Sequence, residues 1–250
     1  FKAVYFHGMV RDKQRRKMSK SLGNSPDALK LLEDYGADGV RFGMLSCSPA
    51  GGDLLFDDKL TEQGRNFCNK LWNAHRLLKG LEIADIPQPA KNALAIKWMN
   101  QKINLQLEVI EKNFEEYRLS DALMTTYNFV WGDFCSYFLE VIKPEYQKPI
   151  DKKTLADTIA IFDKICIMLH PFMPFITEEL WHQLSDKSTD CIVEPYPKSG
   201  TYDQDLLNKI DLAQGIITKV GAGRNKAAKK KTDLLDLYIQ KSDNAAALLS

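Results

Sequence analysis

Four long stretches of this chain place apolar residues alternately three and four positions apart, and that period commits most of it to helices. Leu60, Gly64, Phe67, Leu71, Ala74 and Leu78 form the first series. Ile96, Met99, Ile103, Leu107, Ile110, Phe114 and Tyr117 form the second. Leu123, Tyr127, Val130, Phe134, Tyr137 and Val141 form the third, and Leu155, Ile159, Phe162, Cys166 and Leu169 the fourth. Each series gathers on one side of a helix, and such a stripe must be buried against another. Mostly short links join them: 80–89, a tight 118–121 turn with Ser120 as the expected N-cap, and 143–151. Short links make neighbouring helices antiparallel, so a helical bundle is expected over 59–184. His170-Pro171-Phe172-Met173-Pro174 breaks the fourth helix, and 175–184 should continue at a new angle.

The flanks differ. Residues 2–10, KAVYFHGMV, read as a strand. Residues 11–25 hold almost no core-forming side chains and read as a loop. Pro26 opens a short helix that Gly36 closes, a second runs over 37–46, and 53–56 reads as a brief strand. After the bundle, 185–202 reads as loop with a strand at 191–193. A fifth helix follows over 203–220, then a strand at 234–240. The expected architecture is mainly α: a small α/β piece within 1–58, an antiparallel bundle over 59–184, and a linker, helix and short α/β element over 185–250. The unpartnered edges at both ends suggest a portion of a longer protein.

The chain has 250 residues and a net charge of +1, but the average conceals a pattern. Residues 1–30 sum to +6, 31–218 to −9, and 219–231 to +6. Two basic segments thus flank an acidic body, and such segments suit phosphates as well as plain solvated surface. No apolar run nears the roughly 18 residues of a membrane span. Five scattered cysteines and four scattered histidines offer no compact zinc or disulfide pattern, so reduced thiols, no protein-bound metal and a cytoplasmic setting are expected.

The chemistry concentrates in Lys17-Met18-Ser19-Lys20-Ser21, preceded by Arg11, Lys13, Arg15 and Arg16. Two lysines three apart on a loop can grip a polyphosphate and stabilise charge on its leaving pyrophosphate. Ser19 and Ser21 add hydroxyl donors. No Walker pattern is present. On the first bundle helix Arg65, Asn66, Asn69, Lys70, Asn73 and Arg76 lie off the apolar stripe. Amides and cations at that spacing can meet unstacked bases and phosphates of RNA. A solvated helix face has the same composition.

The run RRKMSKSLGN resembles the lysine–serine signature of class I aminoacyl-tRNA synthetases. Asp34-Tyr35-Gly36-Ala37-Asp38-Gly39-Val40-Arg41-Phe42 is similar to the stretch that follows it in the branch serving valine, isoleucine and leucine. Arg65-Asn66-Phe67-Cys68-Asn69-Lys70-Leu71-Trp72-Asn73 and the run from His170 to Trp181 resemble the valine members most. The family usually has Gly where Arg15 stands and Ala-Leu where Gly39-Val40 stands; the proline at 26 is also displaced.

That resemblance implies an ATP-dependent ligase that forms an aminoacyl-adenylate and charges tRNA. By it, Lys20 contacts ATP and Lys17 assists, with Ser19 and Ser21 on phosphate oxygens and Mg2+ as the ATP counter-ion. Residues of about 22–58 become a stem-contact piece and the bundle an anticodon-binding domain. Arg65, Asn66, Asn69, Lys70, Asn73, Arg224 and Lys226 become tRNA contacts. The partners implied are a valine-accepting tRNA, ATP and valine, for a monomer with no membrane association. The family's H-I-G-H signature does not occur here, and its amino-acid pocket and editing domain would lie upstream, so the chain alone is expected to be inactive. An isoleucine or leucine member of the same family, a non-catalytic tRNA-binding module and a protein scaffold are the rival readings.

Overall fold

Helix α1 (Ala28–Ser46) is two helices joined at Gly36, whose φ of 74° and ψ of 160° interrupt the helical backbone. An L side chain resists that region, so glycine is the residue that lets the chain turn there. This computed structural model describes residues 4–230 and 233–234. They divide into two compact units, 1–200 and 201–250. The N-cap of α1 is Asp27, whose carboxylate accepts from the Leu29 N–H at 2.9 Å, so the helix starts two residues after the expected Pro26.

The strand expected over 2–10 is reduced to β1 (Val10–Arg11), which pairs in parallel with β2 (Leu54–Leu55). A strand extends only as far as its partner, and β2 has two residues. Val4 and Phe6 are exposed instead.

Helix α2 (Asp58–Lys79) starts at the Asp57 cap and buries Gly64, Phe67, Leu71, Ala74 and Leu78, the stripe expected from its period. Helix α3 (Ala90–Glu115) buries Ile96, Met99, Ile103, Leu107 and Ile110. The third helix is composite: α4 (Leu119–Asn128), a π-helical segment (Phe129–Phe138) and α5 (Leu139–Ile142). Each π turn takes an extra residue, which rotates the buried face. Phe134 is buried as expected, but beyond it Phe138 and Ile142 enter the core while the expected Tyr137 and Val141 are only half-buried. Phe134 stacks on Phe138 and on Phe162 of α6 (Lys152–Leu169), with centroids 5.6 and 5.7 Å apart. Ser120 is not the cap of α4. The helix begins at Leu119, and Arg118 pairs with Asp121 at 2.8 Å.

Helix α7 (Pro174–Leu184) follows the proline break. Residues 191–193 form one 3₁₀ turn rather than a strand. Cys191 N–H donates to Glu178 at 2.8 Å, which fixes the turn to α7 instead of to a sheet edge. A second parallel pair, β3 (Ile83–Ala84) with β4 (Ile150–Asp151), ties two links together. In the other unit α8 (Gln204–Lys226) is capped by Asp203 and runs through Gly221 and Gly223, past the expected end at 220. The strand expected over 234–240 lies outside the described residues, apart from Leu234.

Two devices hold α1 on the bundle. Gly39, Gly43 and Gly64 bring α1 and α2 into backbone contact: a Cβ on Gly64 would lie 2.6 Å from the Gly39 carbonyl oxygen. Beyond the crossing, buried Asp38 accepts from the Ile176 N–H at 2.6 Å and caps the first turn of α7. Arg41 donates to the carbonyls of Phe172 and Pro171 at 3.0 and 3.1 Å. Burial raises the Asp38 carboxyl above its usual value, against the two amides that hold it ionised. The Asp-x-x-Arg pair of the family-like stretch is therefore a structural lock.

All five cysteines are free. Burial pushes the thiols of Cys68, Cys135 and Cys191 up to about 12 and that of Cys47 to about 11, so they pack as small hydrophobes.

Candidate phosphate loop and RNA-facing helix

The loop between β1 and α1 is organised by a carboxylate, which charge counting alone hides. Asp12 accepts from the Gln14 and Arg16 N–H groups at 3.0 and 2.9 Å and from Arg16 Nε at 2.8 Å. Asn24 Nδ2 donates to the same carboxylate at 3.0 Å and to the Lys17 carbonyl at 3.2 Å. Asn24 Oδ1 accepts from the Ser19 N–H at 2.9 Å. The two ends of the lysine–serine run are thus tied to one another. The Met18 N–H donates to the Val10 carbonyl at 3.1 Å, joining the run to β1. Asp12 and Asn24 escaped the sequence reading. Their only signal was a lone acid among bases and an amide at the far end of the motif.

This scaffold sorts the cations. Arg11 is bound to Asp53, Lys13 to Asp57 at 3.0 Å, and Arg16 to Asp12 at 2.7 Å. Lys17 and Lys20 are exposed and have no ion-pair partner among the described residues. Ser19 and Ser21 bring their hydroxyls to 3.2 Å of each other, and Ser19 Oγ also accepts from the Leu22 N–H at 3.3 Å. The loop therefore presents two ammonium groups and paired hydroxyls on a fixed backbone, a donor set suited to a polyphosphate.

Arg15 has a φ of 63°, in the left-handed region that favours glycine. This accounts for the family's usual glycine there. Arg15→Gly should leave the loop intact and relieve about 1 kcal/mol of backbone strain. Slower amide exchange at Gln14 and Arg16 in the variant checks it; faster exchange contradicts it.

The loop is also acid-sensitive. The Asn24 and Arg16 hydrogen bonds hold the Asp12 carboxyl far below the usual range. Arg11 lowers Asp53, and the Lys59 N–H together with Lys13 lowers Asp57. A carboxylate lowered by folding stabilises fully above its unfolded pKa of about 3.9 and loses that contribution as pH falls through its folded value. Below about pH 4, Asp53 and Asp57 should release first and Asp12 last. Amide exchange at Met9 and Lys59 should therefore quicken at milder acid than at Arg16. Simultaneous release would refute this order.

On α2 the expected RNA-facing residues separate into two groups. Asn66, Asn69, Asn73 and Arg76 are exposed and, at about 100° per residue, share the side opposite the buried stripe. Arg65 and Lys70 form its edges and are already engaged. The Arg65 guanidinium lies 5.5 Å from the Tyr35 ring centroid, and Lys70 Nζ lies 5.3 Å from that of Trp131. Trp72, at 36% exposed, borders this face beside His75, whereas Trp181 is buried and donates to the Thr189 carbonyl at 2.8 Å.

In the C-terminal unit Lys226 is exposed. Arg224 donates to the carbonyls of Lys230 and Asp233 at 3.0 and 2.8 Å, so part of its guanidinium closes the end of α8. No helix among the described residues is long and apolar enough to cross a membrane.

Comparison with known proteins accords with this arrangement. Residues 96–239 match the family described as the anticodon-binding domain of tRNA ligase, and residues 1–57 match class I tRNA synthetases of the I, L, M and V group. The valine--tRNA ligase of Christiangramia forsetii is 47% identical over 239 residues, covering 93% of this chain and 27% of that protein. That of Phocaeicola vulgatus is 57% identical over 187 residues, covering 75% of this chain and 21% of that protein. The chain thus spans about a quarter of the length of these relatives. Among solved structures, the Agrobacterium radiobacter LeuRS in ternary complex with tRNA and LeuAMS has a TM-score of 0.55 at 22% identity, covering 80% of this chain and 24% of that one. A Mycobacterium tuberculosis methionyl-tRNA synthetase bound by methionyl-adenylate scores 0.50 at 21% identity over 77% of this chain and 42% of that one, a likeness of fold. With its lysine–serine loop locked by α1 onto a helical bundle, the chain belongs to the anticodon-binding domain family of tRNA ligases, within the class I synthetases.

Proposed function

We propose that the chain serves as part of a valine--tRNA ligase, which attaches valine to its tRNA through a valyl-adenylate made from ATP. Residues 1–58 supply the phosphate loop and stem-contact piece, 59–184 the anticodon-binding bundle, and 185–250 a linker, helix and further subdomain. The observation that supports this reading most is that Lys17 and Lys20 have no ion-pair partner among the described residues, on a loop where Arg11, Lys13 and Arg16 are each paired with an aspartate. Lys20 meets the ATP phosphates and Lys17 assists. Ser19 and Ser21 donate to phosphate oxygens, and Mg2+ accompanies ATP. Asn66, Asn69 and Asn73 read the tRNA, while Arg65 and Lys70 brace that face and add charge at its edges. Arg224 and Lys226 contribute phosphate contacts. The ligase acts as a cytoplasmic monomer, and these 250 residues alone do not activate valine, because they carry no H-I-G-H sequence.

The test uses the complete ligase with unmodified tRNA. Valine-dependent ATP–pyrophosphate exchange and charging of a valine-anticodon tRNA are expected, with charging reduced by one anticodon-base change. Exchange driven by isoleucine or leucine instead would overturn the substrate. Equal charging of both tRNAs would overturn the role of the bundle.

A further inference from the structure

We infer that Asn24 is a positioning residue for the adenylate-forming step, acting through Lys20 by holding the backbone that carries both signature lysines. The inference rests on the reading of this loop as an ATP-phosphate site, and it gives a role to a residue outside the lysine–serine run. One side-chain amide makes three bonds here. Its oxygen accepts from the Ser19 N–H at 2.9 Å, and its nitrogen donates to the Lys17 carbonyl at 3.2 Å and to Asp12 at 3.0 Å. Both ends of the amide, the acceptor and the two-hydrogen donor, are therefore engaged. The opposite orientation would set its oxygen against two acceptors. An aspartate would have no donor for Asp12 or for the Lys17 carbonyl, and an alanine would make none of the three bonds.

Lys20 sits between two anchored peptide groups. On its N-terminal side is the Ser19 N–H, held by Asn24. On its C-terminal side its own carbonyl accepts from the Gly23 N–H at 3.1 Å, in a turn that returns the chain to Asn24. Lys17 is fixed in the same manner. Its backbone forms an antiparallel bridge with Arg11, and its carbonyl is held by Asn24. The separation of the two lysines along the loop thus depends on one amide.

Packing does not supply this order. Lys17, Lys20, Ser21, Leu22 and Gly23 are exposed, and Met18 is only half-buried. Segments with so few buried contacts open at little cost. Asp12, by contrast, is buried, and its carboxylate holds Asn24 while also accepting from Gln14 and Arg16. A buried carboxylate that serves an exposed loop organises donors rather than a core. A donor held in place before charge develops needs no reorganisation when the charge appears. A misplacement of about 1 Å can cost about 10²-fold in rate.

The test is a double-substitution cycle in the complete ligase, read by ATP–pyrophosphate exchange. Asn24→Ala should lower kcat about 10²-fold, with the KM for ATP changed far less and the melting temperature preserved. In a Lys20→Ala background the same substitution should cost about tenfold or less, because the donor it positions is gone. In a Lys13→Ala background it should keep its full cost, since Lys13 is held by Asp57 and not through Asn24. Equal costs of Asn24→Ala with and without Lys20 overturn the inference, as does a loss that falls on KM alone. The cycle is run with whichever amino acid drives exchange. Exchange with isoleucine or leucine would overturn the valine reading, while the coupling between Asn24 and Lys20 would still decide this one.

Discussion

Replacing Lys20 with alanine in the complete ligase should lower valine-dependent ATP–pyrophosphate exchange by about 10²–10³-fold, the cost of losing one preorganised donor to developing charge, about 2.7–4 kcal/mol. The loss should fall mainly on kcat, because a contact tightened only as pyrophosphate departs contributes little to ground-state binding. Lys17→Ala should show a smaller loss of the same kind. Lys13→Ala is the control. Lys13 lies four residues before Lys17, but its ammonium is held by Asp57 at 3.0 Å. If charge in the loop mattered only in aggregate, all three variants would lose activity alike. A Lys13 defect as large as that of Lys20 would remove the distinction between neutralised and free cations on which the site rests.

That distinction was only half legible in the sequence. The motif Lys17-Met18-Ser19-Lys20-Ser21 marked the loop, yet six bases in ten residues could not be ranked without their partners. The partners Asp53 and Asp57 lie more than forty residues away, and long-range pairing leaves no local period. The bundle was legible because burial of one helix face imposes a repeat, as in α2 and α3, where Phe67, Leu71, Ile103 and Leu107 are buried as expected. Reading failed where a register changed without a change in composition. The π segment of Phe129–Phe138 rotated the core face from Tyr137 to Phe138. The strand over 2–10 shrank to the length of its partner, and 191–193 took its conformation from Glu178 rather than from its own β-prone residues. Asn66, Asn69, Asn73, Arg65 and Lys70 looked alike in sequence. Only the neighbouring rings of Tyr35 and Trp131 separate the braced pair from the open face.

The largest effect on folding should come from Gly64→Ala. A methyl group there would lie 2.6 Å from the Gly39 carbonyl oxygen and 2.8 Å from Phe42 Cβ. Neither neighbour is a flexible side-chain end, so α1 and α2 must separate. Overpacking of this kind costs about 1–3 kcal/mol. For a chain of this size that lowers the melting temperature by roughly 2–4 °C per kcal/mol. Gly215→Ala is the matched control, because nothing lies within 4 Å of the added Cβ within α8. It should be neutral or gain up to about 1 kcal/mol from helix propensity. The crossing also has a functional consequence. Helix α1 joins the phosphate loop to the bundle, and its Asp38–Arg41 lock engages α7 on the far side of the same crossing. Separating α1 from α2 should shift the loop relative to the side of α2 proposed to face RNA. Exchange and tRNA charging should then fall together in Gly64→Ala at temperatures where the variant is still folded. A variant that melts early but keeps full charging below its transition would show that the crossing serves stability alone.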